Sequence, residues 1–323
     1  MDEMTRLREL RAGAPAPDRA ALAPGRQRLT DAIAGGRRGR RPWADWRIAS
    51  AGAAVAVTVA ALLGAQLLDA SDPRGAGPAT VAGDLDLSGP ARTLGRAADF
   101  LEGLTPPPEP RDDQWIYTQG AVGQLLLKTG DDRAVEVRRE PASWTPYGSG
   151  AAEKDKSDDD LSARETYRVA NALPEDPAAL LAKVRERYPS GPGAPESEAA
   201  QTFRGLNVLV ESYPLAPDAL ARIYRAMATV PGVEITDHLV EDAAGRQVIA
   251  VTREEEGTHQ RREILLSPYD YSYAGMRFVV TEDHEMDLPA GTEGLDRELF
   301  AGDVTLTEVR TAAAVVDAEG DKP

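Results

Sequence analysis

The chain of 323 residues contains no cysteine. It can form no disulfide, offers no thiol for a lipid anchor, and has no Cys ligand for a structural zinc. Histidine is almost as scarce: His238, His259 and His284 are each more than twenty residues apart, and none has a second His four positions on. That spacing gives no metal-binding motif, and the three read as surface histidines. Walker loop, dinucleotide-binding glycine pattern and nucleophile elbow are also missing, since Gly148-Ser149-Gly150 lacks the apolar strand that an elbow follows. These absences predict a non-enzymatic protein without cofactor or metal. Lysine is limited to Lys128, Lys154, Lys156, Lys183 and Lys322 while Arg, Ala, Gly and Pro abound, a composition expected of a GC-rich bacterial genome such as an actinobacterial one.

The dominant positive feature is an uncharged apolar run from Ile48 to Leu68, bounded by Arg47 and Asp69. As a helix at ~1.5 Å per residue it would reach roughly 31 Å, the thickness of a bilayer's hydrocarbon core. It is read as a single transmembrane helix. A cleaved secretory signal fits less well, because the preceding arm of 47 residues is long and Leu68-Asp69-Ala70 makes a poor cleavage site. Arg40-Arg41 followed by Pro42 and Trp43 reads as a topology determinant rather than a twin-arginine signal. Residues 1–47 hold 11 Arg against 6 acidic residues, net +5, which leaves 26 basic and 47 acidic residues, net −21, in the rest of the chain. The charge step predicts a cytoplasmic N-terminus and an extracytoplasmic C-terminal part, anchored in the bacterial cell membrane. So acidic an external part argues against nucleic acid as its partner.

Five regions follow from the pattern: a basic cytoplasmic arm (1–47), the transmembrane helix (48–68), a linker (69–113), an extracytoplasmic domain (114–316) and a polar tail (317–323). In the arm, Leu7 and Leu10, then Leu29 and Ile33 after a Gly/Pro break, mark two short helices. These four are the candidate partner-binding residues, anchors for a groove on a cytoplasmic protein; the competing reading is a disordered basic tail that only sets topology. The linker carries one helix after Ser88, with Leu94, Ala98 and Leu101 on one face, then the Pro-rich Thr105–Pro110. The charged run Glu153–Asp160 lacks the Gly and Glu of an EF-hand loop and reads as a solvated loop.

The expected fold class is α+β: N-terminal cytoplasmic helices, the single span, and an ectodomain whose curved antiparallel sheet, half-barrel-like by analogy, packs on helices. Strands are predicted at Gln114–Thr118, Gln124–Lys128 and Ala134–Arg139. Three helices then follow, one capped by Asp176, one through Ala199–Val210 and one through Leu220–Met227. Five alternating segments succeed them at 233–240, 247–252, 261–266, 276–281 and 304–309, with turn-like links that imply an antiparallel meander. Tyr269, Tyr271 and Tyr273 would share a face if extended, as a stacking row or as packing beside a turn.

Several short motifs together resemble an uncharacterised family of actinobacterial single-pass membrane proteins. They are Leu7-Arg8-Glu9-Leu10-Arg11, Pro15-Ala16-Pro17-Asp18 and Gly25-Arg26-Gln27-Arg28-Leu29 in the arm, then Gln114-Trp115-Ile116-Tyr117, Leu173-Pro174-Glu175-Asp176-Pro177, Tyr224-Arg225-Ala226-Met227-Ala228, Pro231-Gly232-Val233 and Asp242-Ala243-Ala244-Gly245-Arg246. Ser267-Pro268 stands where that family tends to have Asp-Pro. The resemblance implies an association with extracytoplasmic-function sigma factors and hence an anti-sigma-like role, with no catalytic residues to carry over. The expected function is a non-enzymatic envelope sensor or regulator. Its partners would be a cytoplasmic sigma factor, an envelope ligand or protein, and the lipid bilayer. The alternative is an extracytoplasmic lipid- or lipoprotein-binding module without signalling.

Overall fold

Alternating apolar residues in the C-terminal half build three long neighbouring strands, β6 (Gln247–Glu255), β7 (Gln260–Leu266) and β8 (Tyr273–Val280). The structure, a computed structural model, describes residues 85–126, 134–148, 161–190, 196–286 and 298–323. The predicted transmembrane helix, the arm with Leu7, Leu10, Leu29 and Ile33, and the run 153–160 lie outside these residues. Among the described residues no helix is long and apolar enough to cross a membrane.

The three strands pair antiparallel as a meander, with Val251 opposite Ile264 and Ile264 opposite Met276. Ile249, Val251, Ile264 and Leu266 thereby share one face, and Val248, Ala250 and Leu265 the other. The first face is the inner one, because the helices pack on it. Preceding the meander are β1 (Trp115–Leu126), β2 (Ala134–Arg139), β3 (Ser143–Pro146), β4 (Glu234–Ile235) and β5 (Val240–Glu241); β9 (His284–Glu285), β10 (Glu298–Leu299) and β11 (Val304–Val316) follow it. The main sheet runs β2-β1-β11-β8-β7-β6-β4, with β3 also on β1 and β5 also on β6, while β9 and β10 pair separately. Every pairing is antiparallel.

Five helices belong to the described residues: α1 (Pro90–Glu102), α2 (Ala163–Asn171), α3 (Pro177–Arg187), α4 (Glu198–Glu211) and α5 (Pro217–Met227). Local signals start most of them. Pro opens α1, α3 and α5 where its missing N–H costs nothing. Asp176 caps α3 by accepting from the Ala179 N–H at 2.8 Å, and Ser197 caps α4 by accepting from Ala200 at 3.2 Å. Leu94 of α1, Leu180 of α3, Phe203 and Leu206 of α4, and Ile223 and Met227 of α5 are fully buried against Ile249, Val251, Ile264 and Leu266. Each such side chain contributes about 1.5–3 kcal/mol relative to exposure.

The α+β class, the antiparallel sheet and the helices on it are as expected; several elements differ. Helix α1 is part of the core rather than of a linker: Leu94, Ala97 and Ala98 have no exposure, and Arg225 of α5 grips Asp99 at 2.7 Å and also bonds Glu102. The two predicted strands at 114–118 and 124–128 fall, as far as they are described, in one strand, β1, which ends at Leu126, because Gly120 and Gly123 lie in it at points of close approach; a Cβ on Gly120 would fall 2.5 Å from the Val309 carbonyl oxygen. The segment 233–240 is interrupted, β4 and β5 being separate two-residue bridges to β6. Helix α2 and strand β3 were not foreseen, and β11 runs on to Val316. Ser267 accepts from the Tyr269 N–H at 3.3 Å, so its hydroxyl serves in the turn.

A bulge in β11 decides where the polar residues of this strand go. Gln119 of β1 faces Ala312 while Gly120 faces Arg310, so Thr311 is the extra residue, its hydroxyl donating to the Gln119 carbonyl at 3.1 Å. Val315 lies on the inner face with Ile116, in a second apolar cluster with Tyr147, Tyr167 and Ala219. Without the bulge the period of two would put Arg310 on the opposite face. With it, Arg310 and Glu308 turn inward.

Candidate functional site

The helices cover only part of the inner face: α4 packs on β6 and β8, and α1 on β4. Beyond α4, across β1, β11 and β8, inner-facing Val122, Phe278 and Leu306 are half-buried, as are Arg262, Tyr273, Glu308 and Arg310 among them. Glu211 at the end of α4 and Tyr213 just after it border this area, and Val208 one turn earlier is exposed.

Arg310 is the centre of this cluster. Its Nη2 donates to the main-chain carbonyl of Glu211, its guanidinium lies 4.5 Å from the centroid of the Tyr273 ring, and no carboxylate among the described residues pairs with it directly. Burial lowers the arginine's pKa from its ordinary value, which neighbouring Tyr273 and Glu211 partly offset. The Tyr273 hydroxyl oxygen is buried and has no hydrogen-bond partner. Burial raises its pKa first, and the Glu211 charge raises it further. The Glu211 carboxyl is itself shifted upward, by burial and then by Glu308. Arg262, by contrast, is already neutralised, bonded to Glu255 at 2.6 Å and stacked 4.7 Å from the Phe278 ring. The cluster thus brings together a cation that no carboxylate among the described residues contacts, the carboxylates of Glu211 and Glu308, and an unsatisfied hydroxyl, beside an apolar floor. Such an arrangement is suited to binding a polar group that carries charge of both signs.

Three other polar features lack this unmet capacity. On the outer face Glu263 is completely buried but fully used, accepting from Arg261 at 2.7 Å and from Arg277 at 2.6 Å. An open depression of about 470 Å3 beside α1 is lined by Asp86, Arg92, Arg96 and Asp99, and Asp86 lies within ion-pair range of both arginines. At the end of the meander the rings of His259 and His284 lie 4.9 Å apart, with His259 bonded to Glu282 and His284 Nδ1 3.0 Å from the Glu282 carbonyl. That pairing of two surface histidines was not visible in the sequence, where 25 positions separate them. Among the described residues no group of three or more potential ligands could hold a metal ion.

The tyrosine triplet does not form a row. Tyr269 is exposed; Tyr271 adopts φ 55° in the turn, packs edge-on against Phe100 at 5.6 Å and accepts on its carbonyl from the Tyr224 hydroxyl at 2.6 Å; only Tyr273 reaches the inner-face cluster. The predicted anchors Leu7, Leu10, Leu29 and Ile33 lie outside the described residues. Arg310, Glu308 and Glu211 were missed by sequence reasoning. The available signal was the pair Glu308 and Arg310, the two charged residues of an otherwise uncharged strand, but the bulge that turns Arg310 inward is not legible there. No family model, curated protein or solved structure matches this chain.

Proposed function

We propose that the chain is a single-pass membrane sensor or regulator of the bacterial envelope. The N-terminal arm lies in the cytoplasm, Ile48–Leu68 spans the bilayer, and the α+β domain stands outside, its sheet curved as a half-barrel around the inner face. The domain binds an envelope ligand at the Arg310 cluster, and the arm engages a cytoplasmic regulator of the sigma-factor type through Leu7, Leu10, Leu29 and Ile33. The observation that supports this reading is the inner-face cluster, where the buried Tyr273 hydroxyl has no partner and Arg310, bonded to the Glu211 carbonyl, meets no carboxylate among the described residues. The step from net +5 to net −21 across the apolar run supports the topology.

The test is a pull-down from membranes of a GC-rich host, comparing the full chain with one lacking residues 1–36. Loss of a cytoplasmic transcription factor on truncation is the expected outcome. Recovery of the same envelope partners by both versions, with nothing cytoplasmic, would overturn the regulator reading in favour of an envelope lipid- or lipoprotein-binding module.

A further inference from the structure

We propose that the inner-face cluster is a headgroup site for an ethanolamine phospholipid, the phosphate resting on Arg310 and Tyr273 and the ammonium between Glu211 and Glu308. This rests on the reading that the domain lies outside a membrane span. Charge complementarity selects the ligand class. An anion alone would gain Arg310 but face Glu308, two positions along the same face of β11, and Glu211, whose carbonyl Arg310 bonds; a cation alone would gain the carboxylates and face Arg310. A zwitterion with its charges a few ångströms apart meets both. The primary ammonium has three N–H donors, enough for both carboxylates, and the phosphate can accept from the guanidinium and from the Tyr273 hydroxyl, which has no acceptor of its own.

The surroundings favour a lipid over a free headgroup. Val122, Phe278 and Leu306 lie on the same face as Arg310 and remain half-buried, an apolar floor on which acyl chains can lie. The chain also stays within reach of such a ligand: if the span ends at Leu68, 16 residues separate it from Leu85, and a chain of that length extends at most about 55 Å.

The test uses the full chain in nonionic detergent, titrated calorimetrically with dihexanoyl phosphatidylethanolamine, dihexanoyl phosphatidylglycerol and glycerophosphoethanolamine, with protein-free micelles as blank. The ethanolamine lipid should bind, and the glycerol lipid, which lacks the ammonium, should bind about tenfold or more weaker. Arg310→Gln and Glu308→Gln should each weaken the ethanolamine lipid by a similar factor. Tyr273→Phe guards against variants that simply misfold: it should lower affinity several-fold while raising the melting temperature of the unliganded protein by about 2–4 °C, since it removes a buried hydroxyl that has no partner. Equal binding of the two lipids would overturn the zwitterion assignment. Equal binding of glycerophosphoethanolamine would overturn the lipid assignment, and unchanged affinity in a folded Arg310→Gln protein, or no binding by any ligand, would overturn the site. Ethanolamine-lipid binding by a chain whose arm recovers no cytoplasmic partner would leave the site standing and remove only the regulator reading.

Discussion

Glu256 occupies the tight turn between β6 and β7, where it bonds the guanidinium of Arg253, itself only 6% exposed, and accepts from the Ser197 hydroxyl at 2.8 Å. The hydrogen bond from Arg253, ahead of the cost of burial and the help of Ser197, lowers its pKa from 4.5 to about 2. A carboxyl whose pKa is depressed in the folded state stabilises the fold above its unfolded pKa, and that contribution is lost as pH falls from about 4.5 towards 2. Urea midpoints measured between pH 5 and pH 2 should therefore fall less steeply for Glu256→Gln than for the natural chain, though half-exposure of the side chain screens the effect. Glu263 is buried between Arg261 and Arg277 with both carboxylate oxygens used. Glu263→Ala leaves Arg277 largely buried without its counter-charge and should cost about 3–5 kcal/mol in equilibrium unfolding. The pairing of Glu263 with Arg277 does not follow from spacing in the chain: it arises because β7 and β8 place the two directly opposite.

Helix α2 shows what an element owes to local chemistry. Ser162 accepts from the Glu165 N–H at 3.2 Å while the Glu165 carboxylate accepts from the Ser162 N–H at 2.7 Å, a reciprocal capping box. The Ser-x-x-Glu signature was present in the sequence, but Tyr167 and Ala170 alone make too short an apolar pattern for periodicity to announce a helix of nine residues. Ser162→Ala should lower stability by about 1 kcal/mol, with thermal denaturation as the readout. Helices α3, α4 and α5 were legible because caps, prolines and apolar faces agree. Strand β1 was not, since two glycines interrupt its pattern for reasons that lie in its neighbours: Gly120 faces the Val309 carbonyl, and Gly123 faces Thr307 and Val135. Gly120→Val should disturb the pairing of β1 with β11 near the bulge and show as lost amide-exchange protection at Val309 and Arg310.

At the scale of the molecule, the segment that follows α1 is joined to the C-terminal end of the chain. Trp115 pairs with Val316 across β1 and β11, Gln114 and Arg111 bond Asp317 at 2.9 and 3.0 Å, and the Trp144 indole donates to the Asp321 carbonyl at 2.7 Å. Helix α1 then fills the core beside α5. A chain beginning at Leu85 should unfold in one cooperative urea transition, whereas one beginning at Gln114 loses the buried Leu94, Ala97, Ala98 and Leu101. That loss is worth about 5 kcal/mol or more, comparable to the whole stability of many domains, and the shorter chain should show no cooperative transition. Composition and local pattern determined a good deal of this protein. The absence of cysteine, the expectation of one apolar span with a charge step across it, the α+β class and three of the helices depend on residue type and short-range periodicity, which a sequence displays directly. The tertiary structure alone decided that α1 is core, that β1 closes against β11, and that a one-residue bulge turns Arg310 inward to join Tyr273, Glu211 and Glu308. These depend on register and on contacts between segments far apart in the chain, and a shift of a single residue in a strand reverses the face of every side chain beyond it.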